Sequence, residues 1–284
     1  MQEFEAIESI RQHLGALRST KRTIALVPTM GALHQGHLAL VAAARESADI
    51  VVLSIFVNPL QFLPGEDLAR YPRPLEHDRA LADAHGVDIL FVPRAEEMYH
   101  GTPETRVVPG ATADRWEGAH RPGHFAGVLT VVAKLLNIVQ PHVAVFGQKD
   151  IQQVTLVRRM VADLDIPVAL VSVVTVREAD GLALSSRNVF LSETDRSAAL
   201  AIPRALAAMR GRWADGERDG RALERVAATV FAGTPRVKPD YIAVVDPDQL
   251  APVEHAAQGT VAAVAARVGS TRLIDNIIFG EEPG

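Results

Sequence analysis

Two histidines stand three residues apart in the segment Pro28-Thr29-Met30-Gly31-Ala32-Leu33-His34-Gln35-Gly36-His37, directly after the apolar run at 23–28. The run reads as a buried strand, and the residues after it read as the opening of a helix. A helix N-terminus carries unpaired amides and the positive end of the helix dipole, so it favours phosphate. Residues three apart share a helical face, which directs both imidazoles to one ligand. Gly36 leaves room for a ligand to pack on the backbone. Two imidazoles so placed can donate hydrogen bonds to charge developing on phosphorus during displacement. The other reading is a turn with two surface histidines, and the position directly after the first strand favours chemistry.

Three further segments follow predicted strands. Gln61, in Asn58-Pro59-Leu60-Gln61-Phe62, offers donors and an acceptor without charge. Gly147-Gln148-Lys149-Asp150 combines a glycine that permits close approach, a compact cation for phosphate and a helix-capping carboxylate. Gln153 lies one turn further on and can face the same pocket. Leu184-Ser185-Ser186-Arg187 offers two hydroxyls and a bidentate fork, behind an Asp180-Gly181 turn. Taken alone, each of these also reads as a solvated turn. His13, His85, His100, His142 and His255 lack the spacing of a metal site and read as structural or exposed. Arg158-Arg159 reads as a solvated helix face, and the apolar stripe at 125–139 as core.

The elements that must position these residues alternate. Helical periodicity marks 3–17, 37–46, 75–84, 124–139 and 150–162. Continuous apolar runs mark strands at 23–28, 49–57, 87–92, 142–146 and 167–174. Residues 58–74, with four prolines and a glycine, read as irregular. Strands separated by helices argue for right-handed βαβ units and ligands at the carboxyl ends of the strands. After residue 176 the pattern changes. Ser192 and Asp195 suggest a capping box opening a helix at 193–210, followed by a helix at 222–231. Strands are expected at 240–245, 260–268 and 271–279. The expected fold class is α/β: a Rossmann-like doubly wound parallel sheet over 1–175, with a smaller α+β domain over 176–284.

Composition limits the function classes. The chain has 284 residues, 29 Lys plus Arg and 34 Asp plus Glu, for a net charge of −5, which argues against nucleic acid as a partner. The absence of cysteine excludes disulfides, thiolate catalysis and cysteine-based zinc sites. No run approaches the roughly 18 apolar residues of a spanning helix. The N-terminal residues carry early acids and no apolar signal core. The expected protein is soluble and cytoplasmic, with no membrane partner.

HxGH after the first strand resembles the nucleotidylyltransferase superfamily, which includes the class I aminoacyl-tRNA synthetases. PTMGALHQGHLAL, SIFVNPLQF, RPGHFAGVLTVVAKL, FGQKDIQQ, VREADGLALSSRN and GSTRLIDNI, in that order across nearly the whole chain, resemble the pantothenate synthetase family. The resemblance implies ATP-dependent condensation of pantoate with β-alanine through a pantoyl adenylate, releasing AMP and pyrophosphate. It implies a nucleotide- and pantoate-binding first domain and a second domain acting as a lid.

It also implies site roles. Met30, Gly31, Ala32, Leu33, His34, Gln35, Gly36 and His37 bind ATP, as do Gly147, Gln148, Lys149, Asp150, Leu184, Ser185, Ser186 and Arg187. Val176 contacts adenine or ribose through its backbone. Gln61 and Gln153 bind pantoate, and Gln61 also borders the β-alanine site. His37, His34 and Lys149 carry the catalysis, with His37 the family's proton donor. Mg²⁺ accompanies ATP, its protein ligands unassigned, with no tightly bound organic cofactor and a homodimeric assembly. The family pattern has Glu where this chain has Gln148, which removes a charge but leaves a backbone role intact. Arg121-Pro122-Gly123-His124 matches a family block that shapes the pocket. Residues 72–78 fall where the family pattern has an acidic run; here His77 interrupts it, which puts a metal or charge role there in doubt. The competing readings are a nucleotidylyltransferase that stops at a nucleotidylated product, a tRNA-binding relative and a degenerate ATP-sensing module.

Overall fold

The computed structural model describes residues 1–63 and 65–281. Pro64, in the proline-rich stretch, and residues 282–284, at the end of the expected second domain, lie outside the described residues. The chain divides into two compact units. The first comprises Met1–Asp114, Gly118–Gly147 and Leu156–Val173; the second comprises Arg115–Glu117, Gln148–Thr155 and the chain from Val174 onward.

The elements of the α/β region run, in order, β1 (Gln2–Phe4), α1 (Ile7–Ser19), β2 (Ile24–Thr29), α2 (Gln35–Ser47), β3 (Ile50–Ile55), α3 (Leu75–Ala84) and β4 (Ile89–Phe91). They continue with α4 (Ala95–Met98), α5 (Glu117–His120), α6 (His124–Val139), β5 (Val143–Gly147), α7 (Ile151–Asp163) and β6 (Ala169–Val173). The six strands pair in the order β1-β4-β3-β2-β5-β6, every pair parallel. Both faces are covered, which is why the central strands read as unbroken apolar runs. Ala25, Val27, Val51, Leu53 and Ile55 pack with Leu40, Val41 and Ala44 of α2 and Ala82 of α3. The alternate residues Ile24, Leu26, Ile50 and Val52 are equally buried on the other face, where α6 meets β2 and α1 packs on α6.

From β2 the chain moves outward through β3 and β4, then returns to place β5 on the other side of β2. The crevice at such a reversal is where open α/β sheets bind ligands. The pairing of β2 with β5 covers only Ala25 and Leu26, while β2 stays paired with β3 through Thr29. Pro28, which lacks an amide hydrogen, falls in the part of β2 not paired with β5.

Two sequence expectations are corrected. The helix expected at 3–17 begins at Ile7, because residues 2–4 form an edge strand paired with β4. The single helix expected at 193–210 is two: α8 (Glu193–Ala199) and α9 (Ala201–Ala214). Pro203 cannot donate to the carbonyl of Ala199, so the helix stops there and restarts with the proline in its first turn. Ser192 does cap α8, its hydroxyl accepting from the Asp195 amide at 3.1 Å.

The second unit continues with α10 (Gly220–Ala232) and an antiparallel sheet, β7 (Val237–Val245), β8 (Val261–Val268) and β9 (Thr271–Ile278), in that order. Ile202, Leu206 and Met209 of α9 and Leu223 and Phe231 of α10 share a core with Val244, Val264 and Ile277. On the other face, Val245, Val261 and Ala263 pack with Leu250, Trp116 and Ile151. With both faces buried, β8 is nearly all alanine and valine. No helix among the described residues is long and apolar enough to cross a membrane.

Candidate active site

In the first unit, the turn after β2 is held by side-chain hydrogen bonds to its backbone. Thr29 Oγ1 donates to the Ser54 carbonyl at 2.8 Å and accepts from the Gly31 amide at 3.1 Å. Gly31 and Ala32 both adopt left-handed backbone, with φ of 82° and 52°. The amides of Ala32 and Leu33 donate to the two carboxylate oxygens of Asp78 at 2.8 Å each.

His34 is the N-cap of α2. Its Nδ1 accepts from the Gly36 amide at 3.1 Å, and His37 Nδ1 accepts from the His34 amide at 3.3 Å. The two rings lie 4.1 Å apart, centroid to centroid. Two of the amides at the helix start are therefore not open. Those of His34 and Gly36 are bound by the imidazoles themselves. Because each Nδ1 accepts, the proton of each neutral ring sits on Nε2.

Gln61 ends a 3₁₀ turn, Pro59–Gln61, and is buried. Its Oε1 accepts from Asn58 Nδ2 at 2.9 Å, which fixes the amide with Nε2 toward Met30 Sδ at 3.1 Å. Asn58 also accepts from the Tyr99 hydroxyl at 2.7 Å, and burial pushes that phenol up to about 12. The Gln61 carbonyl accepts from His124 Nδ1 at 2.7 Å and from Arg121 at 3.1 Å. Arg121 forms a two-pronged pair with Glu66, both contacts at 2.7 Å. Burial opposes the Glu66 charge, but Arg121 and the Leu63 amide hold its carboxyl below the ordinary range. Gly127 lets α6 approach this turn, since a Cβ there would lie 2.2 Å from the Leu60 carbonyl oxygen. The Arg121–His124 block thus positions the residue predicted to hold the acid substrate. A cleft of about 280 Å³, lined by Met30, Gly31, Phe56, Arg73, Leu75 and Asp78 among others, adjoins the turn after β2.

In the second unit, Gln148–Asp150 form a 3₁₀ turn leading into α7. Asn276 Nδ2 donates to the carbonyls of Gln148 and Lys149, both at 2.9 Å, and fixes that turn from β9. Lys149 Nζ lies 3.9 Å from Asp150 Oδ2. Gln153 is half-buried on the first turn of α7, while its neighbour Gln152 holds the Glu117 amide and the Arg115 carbonyl. Beside Asn276, Asp275 is buried and paired with Arg177 at 2.7 and 3.0 Å. Burial pushes the Asp275 carboxyl up, with Arg177 opposing.

Val176 and Leu184 are joined by a backbone bond of 3.0 Å. Ser185 caps the short turn Ser186–Phe190, its Oγ accepting from the Arg187 amide at 3.3 Å. Glu178 and Asp180, both bound by Arg196, and Asn188, bound to Glu178, hold the base of this loop. The sequence reading assigns no holding role to Asp78, Asn58, Tyr99 or Asn276. Each acts on a partner 30 or more residues away, except the local Asn58–Gln61 pair, whose spacing of three was the one available signal.

The pantoate-beta-alanine ligase family model matches residues 2–278. The chain is 52% identical over 280 residues to the pantothenate synthetase of Rhizobium johnstonii, covering 99% of this chain and 92% of the relative. It is 54% identical over 262 residues to that of Acidobacterium capsulatum, covering 92% and 88%. The crystal structure of pantothenate synthetase from Thermus thermophilus superposes with a TM-score of 0.93 at 49% identity, over 98% of this chain and 99% of that one. A Francisella tularensis pantoate-beta-alanine ligase, crystallised with beta-gamma ATP and beta-alanine, matches at 0.82 and 33% identity over 100% of each chain.

Proposed function

The chain belongs to the pantoate-beta-alanine ligase family, and from that premise we propose how its own residues perform the ligation. It is an ATP-dependent ligase that condenses pantoate with β-alanine to give pantothenate, AMP and pyrophosphate through a pantoyl adenylate. The observation that carries the residue assignment is the imidazole pair at the start of α2, with both Nδ1 atoms bound to backbone amides.

In the first step a pantoate carboxylate oxygen attacks the α-phosphorus of ATP. The bond to the bridging oxygen breaks and pyrophosphate leaves. Negative charge grows on the phosphoryl oxygens and the leaving group, and donors already in place lower its energy without reorganising. His34 and His37 supply Nε2–H donors, and Lys149 supplies a full positive charge. Gln61 and Gln153 hold pantoate through neutral amides. An arginine clamp in their place would stabilise the attacking carboxylate and blunt it. In the second step the neutral amine of β-alanine attacks the acyl carbon, AMP leaves with the bonding pair, and the amine loses a proton. Ser185, Ser186 and Arg187 bind phosphate oxygens, and the backbone at Val176 borders the adenosine. Closure of the second unit's loop excludes water, which would hydrolyse the anhydride.

Among the described residues, no group of three or more His, Asp or Glu side chains is arranged to hold a metal ion. On this reading magnesium arrives as part of the MgATP substrate, and no protein ligand is assigned to it. The reading also includes a cytoplasmic homodimer, for which light scattering should give twice the 30.6 kDa chain mass. The direct test is exchange of labelled pyrophosphate into ATP with pantoate present and β-alanine absent. Exchange that depends on pantoate supports the adenylate step; none in a folded, ATP-binding protein overturns it.

A further inference from the structure

We propose that Asp78 is a positioning residue for adenylate formation, acting on the histidines through the backbone of the nucleotide turn. Asp78 lies on α3, only 1% exposed. Its oxygens each accept one amide, from Ala32 and Leu33, at 2.8 Å. Those two amides belong to a stretch that needs holding, because Ala32, a residue with a Cβ, sits at a φ of 52°. Left-handed backbone at such a residue persists only where its surroundings impose it. Gly31 completes the arrangement: a Cβ there would come within 2.9 Å of Asp78 Oδ2 and of Ile55 Cγ2. His34 follows Leu33 directly, so the carboxylate fixes the point from which both imidazoles are aimed.

The same geometry bears on the segment at 72–78. Asp78 turns both oxygens to the turn's amides, and it belongs to no metal-holding group among the described residues. It anchors protein and does not reach for a cation. The inference rests on the assignment of His34 and His37 to phosphorus chemistry.

The test uses Asp78→Asn in the full chain. The carboxamide keeps the shape but turns a donor toward one of the two amides. Pantoate-dependent pyrophosphate exchange should lose about 100-fold in kcat, the scale of an ångström-sized misplacement. The KM for pantoate should stay within about twofold, and extra magnesium should not restore the rate. Hydrogen exchange at Ala32 and Leu33 should quicken at least tenfold while β7–β9 is unchanged. Unaltered kcat and exchange in Asp78→Asn overturn the proposal, as does rescue by magnesium, which would make Asp78 a metal ligand. If the variant does not fold, protection of the two amides in the unmodified protein decides: slow exchange supports the anchor and fast exchange refutes it. His37→Ala in the same assay separates the two claims. If it keeps full turnover, the catalytic assignment fails and with it the positioning role.

Discussion

The turn at 30–37 in the first unit and the loop at 184–188 in the second, both proposed above to bind ATP, are held by different means. The first is fixed at the backbone: Asp78 takes the amides of Ala32 and Leu33, and the histidines take those of His34 and Gly36. The second is fixed at its base by side-chain charge, through Arg196 on Glu178 and Asp180. Beyond that base, Val189 and Phe190 stand exposed. Backbone anchoring leaves little freedom and suits groups that must meet a transition state. Half-exposed ion pairs hold more weakly and suit a segment that must open and close.

Substitutions in each region sharpen the contrast. The largest effect is expected for His37→Ala, which removes a donor to developing charge. Pyrophosphate exchange should fall by about 10²–10³-fold, while stability drops by only about 1 kcal/mol for the lost bond to the His34 amide. Comparable losses in rate and stability would mark His37 as structural.

Asn276→Ala comes next. It strips two carbonyls, of Gln148 and Lys149, of their donor at a site 2% exposed. The cost in denaturant unfolding should be about 2 kcal/mol, with weaker ATP binding. Unchanged ATP affinity would detach the Lys149 turn from the nucleotide.

Arg196→Met should give the smallest effect. The Arg196 hydrogen bonds hold the Glu178 carboxyl below its ordinary range. A carboxyl lowered in the folded state stabilises fully above its unfolded pKa, about 4.3, and loses that contribution as pH falls through the folded value. The pair is partly exposed, so the deficit of the variant at pH 7 should be under about 1 kcal/mol. It should shrink toward zero below about pH 4. A deficit independent of pH would assign the loss to packing of the arginine stem.

The same contrast explains what could be read from sequence. Local patterns place β2, α2, α3 and α6, because each buries a regular stripe, and HxGH stands out because both histidines lie within one turn. The holding groups are invisible in that reading. Asp78 sits 46 residues from Ala32, on a helix whose acids look solvated. Asn276 reaches its turn across 127 and 128 residues from the last strand. The three-residue strand at 2–4 was hidden because Phe4 continues the helical spacing of Ile7 and Ile10, and only its pairing with β4 reveals it. The break between α8 and α9 coincides with Pro203, a signal in the sequence that the single helix expected at 193–210 takes no account of.

The most direct test of the central claim is the tautomer of the two imidazoles, read by nitrogen-15 NMR of histidine-labelled protein, with His34→Gln and His37→Gln for assignment. Neutral His34 and His37 should both carry hydrogen on Nε2 and none on Nδ1. A proton on Nδ1 of either ring would break its bond to the backbone amide. It would contradict both the way this turn is built and the way it donates.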